Sequence, residues 1–319
     1  MKIDQLEAIQ LGATTQWIRV RGTETSNPVL LFMQLGPGFP IINEVRRFER
    51  LLGLEDVFTV VYWDQPGTGL SLRDSANRNS LSVERMVGDT VSLLELLRVR
   101  FGAAPLVTGF SFGATFAAHA AVKRPDLVAT LVAVGMDIDV PAAEANAYDF
   151  ALTAAHERGN RRAVRQLESI GPPPHLKAKS FSTRVRWVTN FGGVSTDVNY
   201  SRALRELLLS LVRSPDYSPS DIIRTVRGIT TTQAALVPEL ATTDLVRTMP
   251  RLDVPIVMVQ GRHDEVAPGE AAERFYESVS APTKQLVWFE RSAHTPHLEE
   301  PDKFRDVLVS VRTSEAADT

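Results

Sequence analysis

A serine set between two glycines, Gly109-Phe110-Ser111-Phe112-Gly113, follows an apolar run from Pro105 to Thr108 and precedes a helical run from Ala114 to Val122. A tight strand-to-helix turn strains the backbone and needs small neighbours, and such a turn can lift a serine out as a nucleophile. A serine hydroxyl is weak at neutral pH, so a base must take its proton and a carboxylate must hold that base in the right tautomer. Two later segments offer these partners in the order acid, then histidine. Asp264 closes Gly261-Arg262-His263-Asp264, directly after the apolar stretch Ile256 to Val259, and His294 closes Ser292-Ala293-His294, directly after Gln285 to Phe289. Glu265 competes with Asp264 as the acid, and Asp is also common in plain turns.

The tetrahedral intermediate of such a reaction needs donors for its oxyanion. One is the backbone N–H of Phe112; the other is expected from the turn Gln34-Leu35-Gly36-Pro37-Gly38, where Gly36 lets the backbone come close to a substrate. His297, three residues beyond His294, could suggest a helical metal pair, but no clustered carboxylate motif accompanies it. His263 precedes the acid and reads as a surface or packing residue. His119, His156 and His175 have no partner motif and read as structural. The chain has no cysteine, which excludes disulfides, thiolate metal sites and a Cys nucleophile. Neither a metal nor an organic cofactor is required by this chemistry.

These residues must be held by a scaffold. Val29 to Met33, Val57 to Trp63, Leu106 to Thr108, Leu131 to Val134, Ile256 to Val259 and Gln285 to Phe289 are short, β-rich and nearly all apolar, as parallel strands covered on both faces are. Thr15 to Arg21 alternates polar and apolar, as an outer antiparallel strand would. Between strands lie helical patterns, the clearest from Val83 to Leu97 behind a capping Ser82. The alternation predicts an α/β fold with a mostly parallel, doubly wound sheet. From about Asp139 to Asp244 the strand signal stops. The expected organisation is therefore a core made of residues 1–138 and 245–319, with a helical cap inserted at 139–244 over the strands' carboxyl ends, where substrate choice would live.

The 319 residues include 35 Lys and Arg against 38 Asp and Glu, a net charge of −3 with no basic stripe, so no nucleic-acid partner is expected. No stretch approaches the length of apolar sequence that spans a membrane, and the first 16 residues lack a cationic segment followed by an apolar run. A soluble, cytoplasmic protein acting on a small molecule or short peptide is the expectation. Oligomeric state has no signal in the sequence.

The turn at 34–38, Asp64-Gln65-Pro66-Gly67-Thr68-Gly69-Leu70-Ser71, the Ser111 turn, Gly261 to Asp264 and Ser292 to His294 together resemble the proline iminopeptidase-like branch of the α/β-hydrolase superfamily. The resemblance implies an α/β-hydrolase fold with a helical cap, and carries Ser111, Asp264 and His294 over as the catalytic triad. It implies release of an N-terminal proline from peptides. Two departures stand out: the family's His-Gly-Gly-Pro-Gly has Gln34 and Leu35 in its first two places, and Pro66 replaces a usual Arg. Leucine resists the positive φ that glycine accepts, so the oxyanion turn could be shaped differently.

An aminopeptidase must neutralise a substrate ammonium with carboxylates. Glu239, in Val237-Pro238-Glu239-Leu240, resembles the late-cap glutamate of the iminopeptidases, although Pro then Glu also reads as a helix's first turn. Trp187, Phe191, Tyr200 and Tyr217 could line a pocket, or form the cap's own core. A carboxylesterase or lactonase is the alternative, favoured if Glu239 faces solvent. A non-catalytic ligand receptor on the same fold is the alternative of another class, motivated by the altered Gln34-Leu35 turn. An Asp-nucleophile hydrolase is disfavoured by serine at 111.

Overall fold

The structure is a computed structural model and describes residues 2–78 and 81–317. Eight strands form one sheet in the order β1-β2-β4-β3-β5-β6-β7-β8. They are β1 (Ile3–Leu11), β2 (Thr14–Gly22), β3 (Val29–Met33), β4 (Thr59–Asp64), β5 (Leu106–Phe110), β6 (Leu131–Val134), β7 (Ile256–Gly261) and β8 (Lys284–Phe289). The β1–β2 and β2–β4 pairs are antiparallel and the remaining pairs are parallel. Strands β3 to β7 are buried at every residue, because helices cover both faces. One core layer joins Leu31, Val107 and Leu131 to Leu93 and Phe116; the other joins Phe32, Tyr62 and Val132 to Phe48 and Phe304.

The core helices are α1 (Val45–Leu52), α2 (Val83–Phe101) and α3 (Phe112–Lys123) before the insertion, and α9 (Leu245–Thr248), α10 (Gly269–Ser278), α11 (Pro296–Glu299) and α12 (Pro301–Ala317) after it. Ser82 caps α2 as its sequence suggests, accepting from the Arg85 N–H at 3.1 Å. Between β6 and β7 the chain forms α4 (Val140–Glu157), α5 (Arg161–Ile170), α6 (Ala178–Phe191), α7 (Tyr200–Arg213) and α8 (Pro219–Leu240). The chain leaves and re-enters the core side by side: Asp139 and Asp244 form an antiparallel bridge, flanked by Val140 N–H to Thr243 O and Leu245 N–H to Ile138 O. These helices bury their own cluster, including Tyr148, Leu167, Trp187 and Phe191.

Two sequence expectations need correcting. The strand at Thr15 to Arg21 is not outermost, because β1 pairs beyond it along Ile3–Leu11. That strand exposes Asp4, Gln5, Gln10 and partly Leu6 and Glu7, so its apolar alternation is too diluted to read. Pro238 and Glu239 lie in the last turn of α8 rather than in the first turn of a helix.

Candidate active site

Gly109 ends the close approach of β5 to α3, and Gly113 that of α3 to β3. A Cβ on Gly109 would lie 2.4 Å from the Ala114 Cα, and one on Gly113 would lie 2.3 Å from the Gln34 backbone oxygen. Backbone atoms cannot move aside, so both positions require glycine. Between them Ser111 takes φ 52 and ψ −130, and it alone among the described non-glycine residues has a positive φ. That conformation costs about 1–3 kcal/mol, and it persists because the Ser111 N–H is tied to Val134 O at 2.9 Å and the glycines leave no slack. The turn delivers the Ser111 side chain to the carboxyl ends of β5 and β6 and leaves the Phe112 N–H at the start of α3.

The Asp264 and His294 loops are stitched to each other by backbone. His263 N–H donates to Ser292 O at 3.0 Å, and a Cβ on Gly261 would meet the Ala293 oxygen at 1.9 Å, so glycine allows the contact. This brings His294 Nδ1 within 2.8 Å of Asp264 Oδ2. Asp264 Oδ1 accepts the N–H groups of Val266 and Ala267, each at 2.8 Å, which fixes the carboxylate plane. Of the two adjacent acids it is Asp264 that bonds His294, while Glu265 accepts from Asn146 at 2.8 Å. The inserted helices hold the same loops: His294 N–H donates to Val194 O and Glu265 N–H to Gly193 O. Burial by itself would lower the His294 pKa, but the Asp264 charge and hydrogen bond, with the Asp137 charge, outweigh it and leave it raised.

Ser111 Oγ does not bond His294 in this structure. It donates to Asp137 Oδ2 at 2.7 Å. Asp137 follows β6 as Asp264 follows β7, and sequence reasoning missed it: one Asp in Gly135-Met136-Asp137 carries no motif, and only its place after a parallel strand next to the serine strand could have flagged it. Its carboxylate is buried, and burial pushes its pKa up to about 6 despite the opposing pull of His294 and Ser111. Arg184 of the insertion, whose charge also opposes that shift, is already engaged. Arg184 Nη1 lies 2.5 Å from Glu144 Oε1 and donates to His175 Nδ1 at 3.0 Å. Because arginine can only donate, His175 Nδ1 accepts and its Nε2–H donates to Gly171 O. His175, read from sequence as structural, is therefore part of an ionic cluster that reaches the site through Arg184.

The turn at 34–38 keeps Leu35 out of the positive-φ region, and Gly38 takes φ 96 instead, so leucine is no obstacle to this turn. Gly36 lies in it beside the Ser111 turn, through the contact of Gln34 with Gly113. The segment 64–71 has an architectural task. Buried Asp64 accepts from the N–H groups of Ile41, Ile42 and Leu70 at 2.9, 3.1 and 2.7 Å and from the Tyr217 hydroxyl, tying three core segments to the insertion. Thr232 of α8 adds a bond to Gly67 O at 2.8 Å.

Glu239 is exposed, and its Oε2 accepts from the Val83 N–H at 2.8 Å, so its charge caps α2. None of its hydrogen bonds goes to Ser111, Asp264 or His294. Trp187 and Phe191 stack with centroids 5.6 Å apart inside the insertion, and Tyr217 is buried on Asp64. His297 is buried 4.3 Å from the Phe110 ring, and burial pushes its pKa down to about 3. His263 is exposed. A groove on the outside of the insertion, lined by Trp187, Tyr200, Leu204 and Leu208, holds no nucleophile and base together. No described helix is long and apolar enough to cross a membrane.

The profile of the alpha/beta hydrolase family matches residues 35–307. A relative from Bacillus subtilis (strain 168), named as a probable aminopeptidase, YbaC, is 29% identical over 310 residues, covering 95% of this chain and 94% of its own. The proline iminopeptidase of Mycobacterium smegmatis superposes with a TM-score of 0.67 at 18% identity, covering 99% of this chain and 100% of that one. An esterase from Exiguobacterium antarcticum gives 0.62 at 18% identity, with coverage of 98% and 100%.

Proposed function

The chain belongs to the alpha/beta hydrolase family, and on that premise we propose that it is a serine hydrolase cleaving a small amide or ester through an acyl-enzyme. The observation that carries this reading is the strained Ser111 turn beside a histidine oriented by a buried, doubly anchored carboxylate. Ser111 Oγ attacks the acyl carbon while His294 Nε2 takes its proton. The N–H groups of Phe112 and Gly36 hold the oxyanion, and His294 then gives the proton to the leaving group as its bond breaks. Water repeats the sequence, frees the acid and restores the serine. Asp264 holds Nδ1–H toward itself, so Nε2 is free to act as base, and its charge balances the imidazolium. No metal or organic cofactor has a part in these steps.

Release of an N-terminal residue from a short peptide is the leading activity, supported by the named relative and by the sequence motifs. Esterase or lactonase action is the second reading, favoured by the exposure of Glu239, which removes it as a direct partner for a substrate ammonium. The test is steady-state hydrolysis of prolyl-p-nitroanilide beside a short p-nitrophenyl ester, with wild type and Ser111→Ala. Cleavage of the anilide that depends on Ser111 supports the aminopeptidase; ester cleavage with an inert anilide discards it and keeps the acyl-enzyme. A folded protein with neither activity and no reaction with a fluorophosphonate points to the receptor.

A further inference from the structure

Asp137 is a buried carboxylate with an incomplete set of partners. Among the described residues the Ser111 hydroxyl is the donor seen on it, to Oδ2 at 2.7 Å, and Oδ1, which is not among the fully buried side-chain atoms left without a partner, keeps contact with the open side of the site. The groups around it are His294 and Ser111 from the core, Asp264 as a second anion, and Arg184 from α6. None of the positive groups satisfies it. Arg184 is bound to Glu144 and His175, and His294 Nδ1 is bound to Asp264. A largely buried carboxylate with one neutral donor and one oxygen open toward the site gains from a cation that displaces the little water it keeps. Its position beside the nucleophile points to a ligand that supplies the missing cation.

We propose that Asp137 selects substrates carrying an α-ammonium, primary or secondary, next to the scissile carbonyl, and that this ammonium takes the carboxylate from the Ser111 hydroxyl, freeing the hydroxyl to turn to His294. The inference rests on the serine hydrolase reading above and adds to it a substrate class and a residue that chooses it. The distances allow the exchange. In a near-attack arrangement the acyl carbon lies about 3–3.5 Å from the serine oxygen. An α-nitrogen is one bond beyond the neighbouring carbon, and a charge-assisted N–H···O contact spans about 2.7–2.9 Å. An oxygen 2.7 Å from Ser111 Oγ is therefore within reach of that nitrogen. Before binding, Asp137 holds the serine proton away from His294; after binding, the cation has replaced it. A neutral acyl group has nothing to offer Asp137 and leaves the hydroxyl held. The same site then accepts aminoacyl esters and aminoacyl amides, and Glu239 is not needed for cation recognition.

The test compares the p-nitrophenyl esters of L-alanine and propionic acid, which share a leaving group and differ by the ammonium. Wild type at pH 7 is expected to favour the alanyl ester in kcat/KM by at least about tenfold, and Asp137→Asn to lower that ratio at least about tenfold. A wild type without preference, or an Asp137→Asn variant that loses activity on both esters equally, overturns the proposal. A measurement on wild type alone guards against a variant that does not fold. L-alaninol should slow fluorophosphonate labelling of Ser111 more than 1-propanol does at equal concentration, and equal protection by the two overturns the proposal as well. Failure of the underlying reading looks different: wild type would then hydrolyse neither ester and take no label.

Discussion

Replacing Asp264 by Asn separates the two oxygens of the carboxylate by function. Oδ1 accepts two backbone N–H groups at 2.8 Å, and Oδ2 accepts His294 Nδ1–H at 2.8 Å with Gln260 Nε2 at 3.4 Å. An asparagine can place its one oxygen on only one side. The two backbone donors hold it at the Oδ1 position, which turns the amide N–H2 toward Nδ1. The imidazole must then accept at Nδ1 and carry its proton on Nε2, where it cannot receive the proton of Ser111. The expected loss in kcat is on the order of 10³–10⁴, or about 4–5 kcal/mol of transition-state stabilisation. Stability should change little, because the side chain keeps its volume and its backbone bonds. The assay is steady-state hydrolysis of a p-nitrophenyl ester together with urea unfolding. Retention of activity within about tenfold in a folded variant would refute the reasoning and shift the orienting role to another carboxylate whose charge acts on His294, Asp137 first and Glu299 after it.

Gly113→Ala should lose about 2–3 kcal/mol in urea unfolding and most of its fluorophosphonate labelling, since the new Cβ meets backbone oxygens of Gln34 and Met33 at 2.3 and 2.8 Å; a stable, fully labelled variant would contradict the account of the turn. Arg184→Met should cost about 3–5 kcal/mol by leaving buried Glu144 without its cation, and the double change with Glu144→Gln should recover much of that; no recovery would deny the pairing. With His294 as the proposed base and its pKa raised, activity should fall as pH drops through a value above the ordinary 6.5, and Asp137→Asn should move that limb to lower pH by removing one of the charges that raise it. Asp137 itself rises from 3.8 to about 6 on folding, so the folded state holds its proton more tightly and wild type loses stability as pH climbs from 4 to 6, then no further; the stability of Asp137→Asn relative to wild type should accordingly grow by up to about 3 kcal/mol between pH 4 and 7, and a pH-independent difference would argue against a buried, poorly paired carboxylate.

The fold was readable because its central strands are short, apolar runs separated by helices, and the signal for each came from burial on both faces. It failed at β1, whose exposed polar residues hide the alternation, and it placed β2 one strand too far out for the same reason. Ser111, Asp264 and His294 could be singled out because each lies within a few residues of a strand's carboxyl end and, for Ser111 and Asp264, near glycines that the packing requires, and the structure brings Asp264 and His294 into contact. Asp137 shares the post-strand position and even has Gly135 two residues ahead, at φ 50 and with His294 Nδ1 3.0 Å from where a Cβ would lie, but one glycine before an aspartate is no motif in the sequence. The Glu144, His175 and Arg184 cluster draws on three separate segments of the insertion, so no local window contains it. Glu239 shows the converse: Pro-Glu suggested a helix start, and the glutamate does serve one, but that of α2 rather than of its own helix.

The central claim is that Ser111 forms the acyl-enzyme. The most direct measurement is intact mass and peptide mapping of wild type and Ser111→Ala after reaction with a fluorophosphonate. One adduct per chain on the peptide containing Ser111, absent from a folded Ser111→Ala protein, is the predicted result. An unmodified folded wild type, or an adduct that persists in Ser111→Ala, would contradict it.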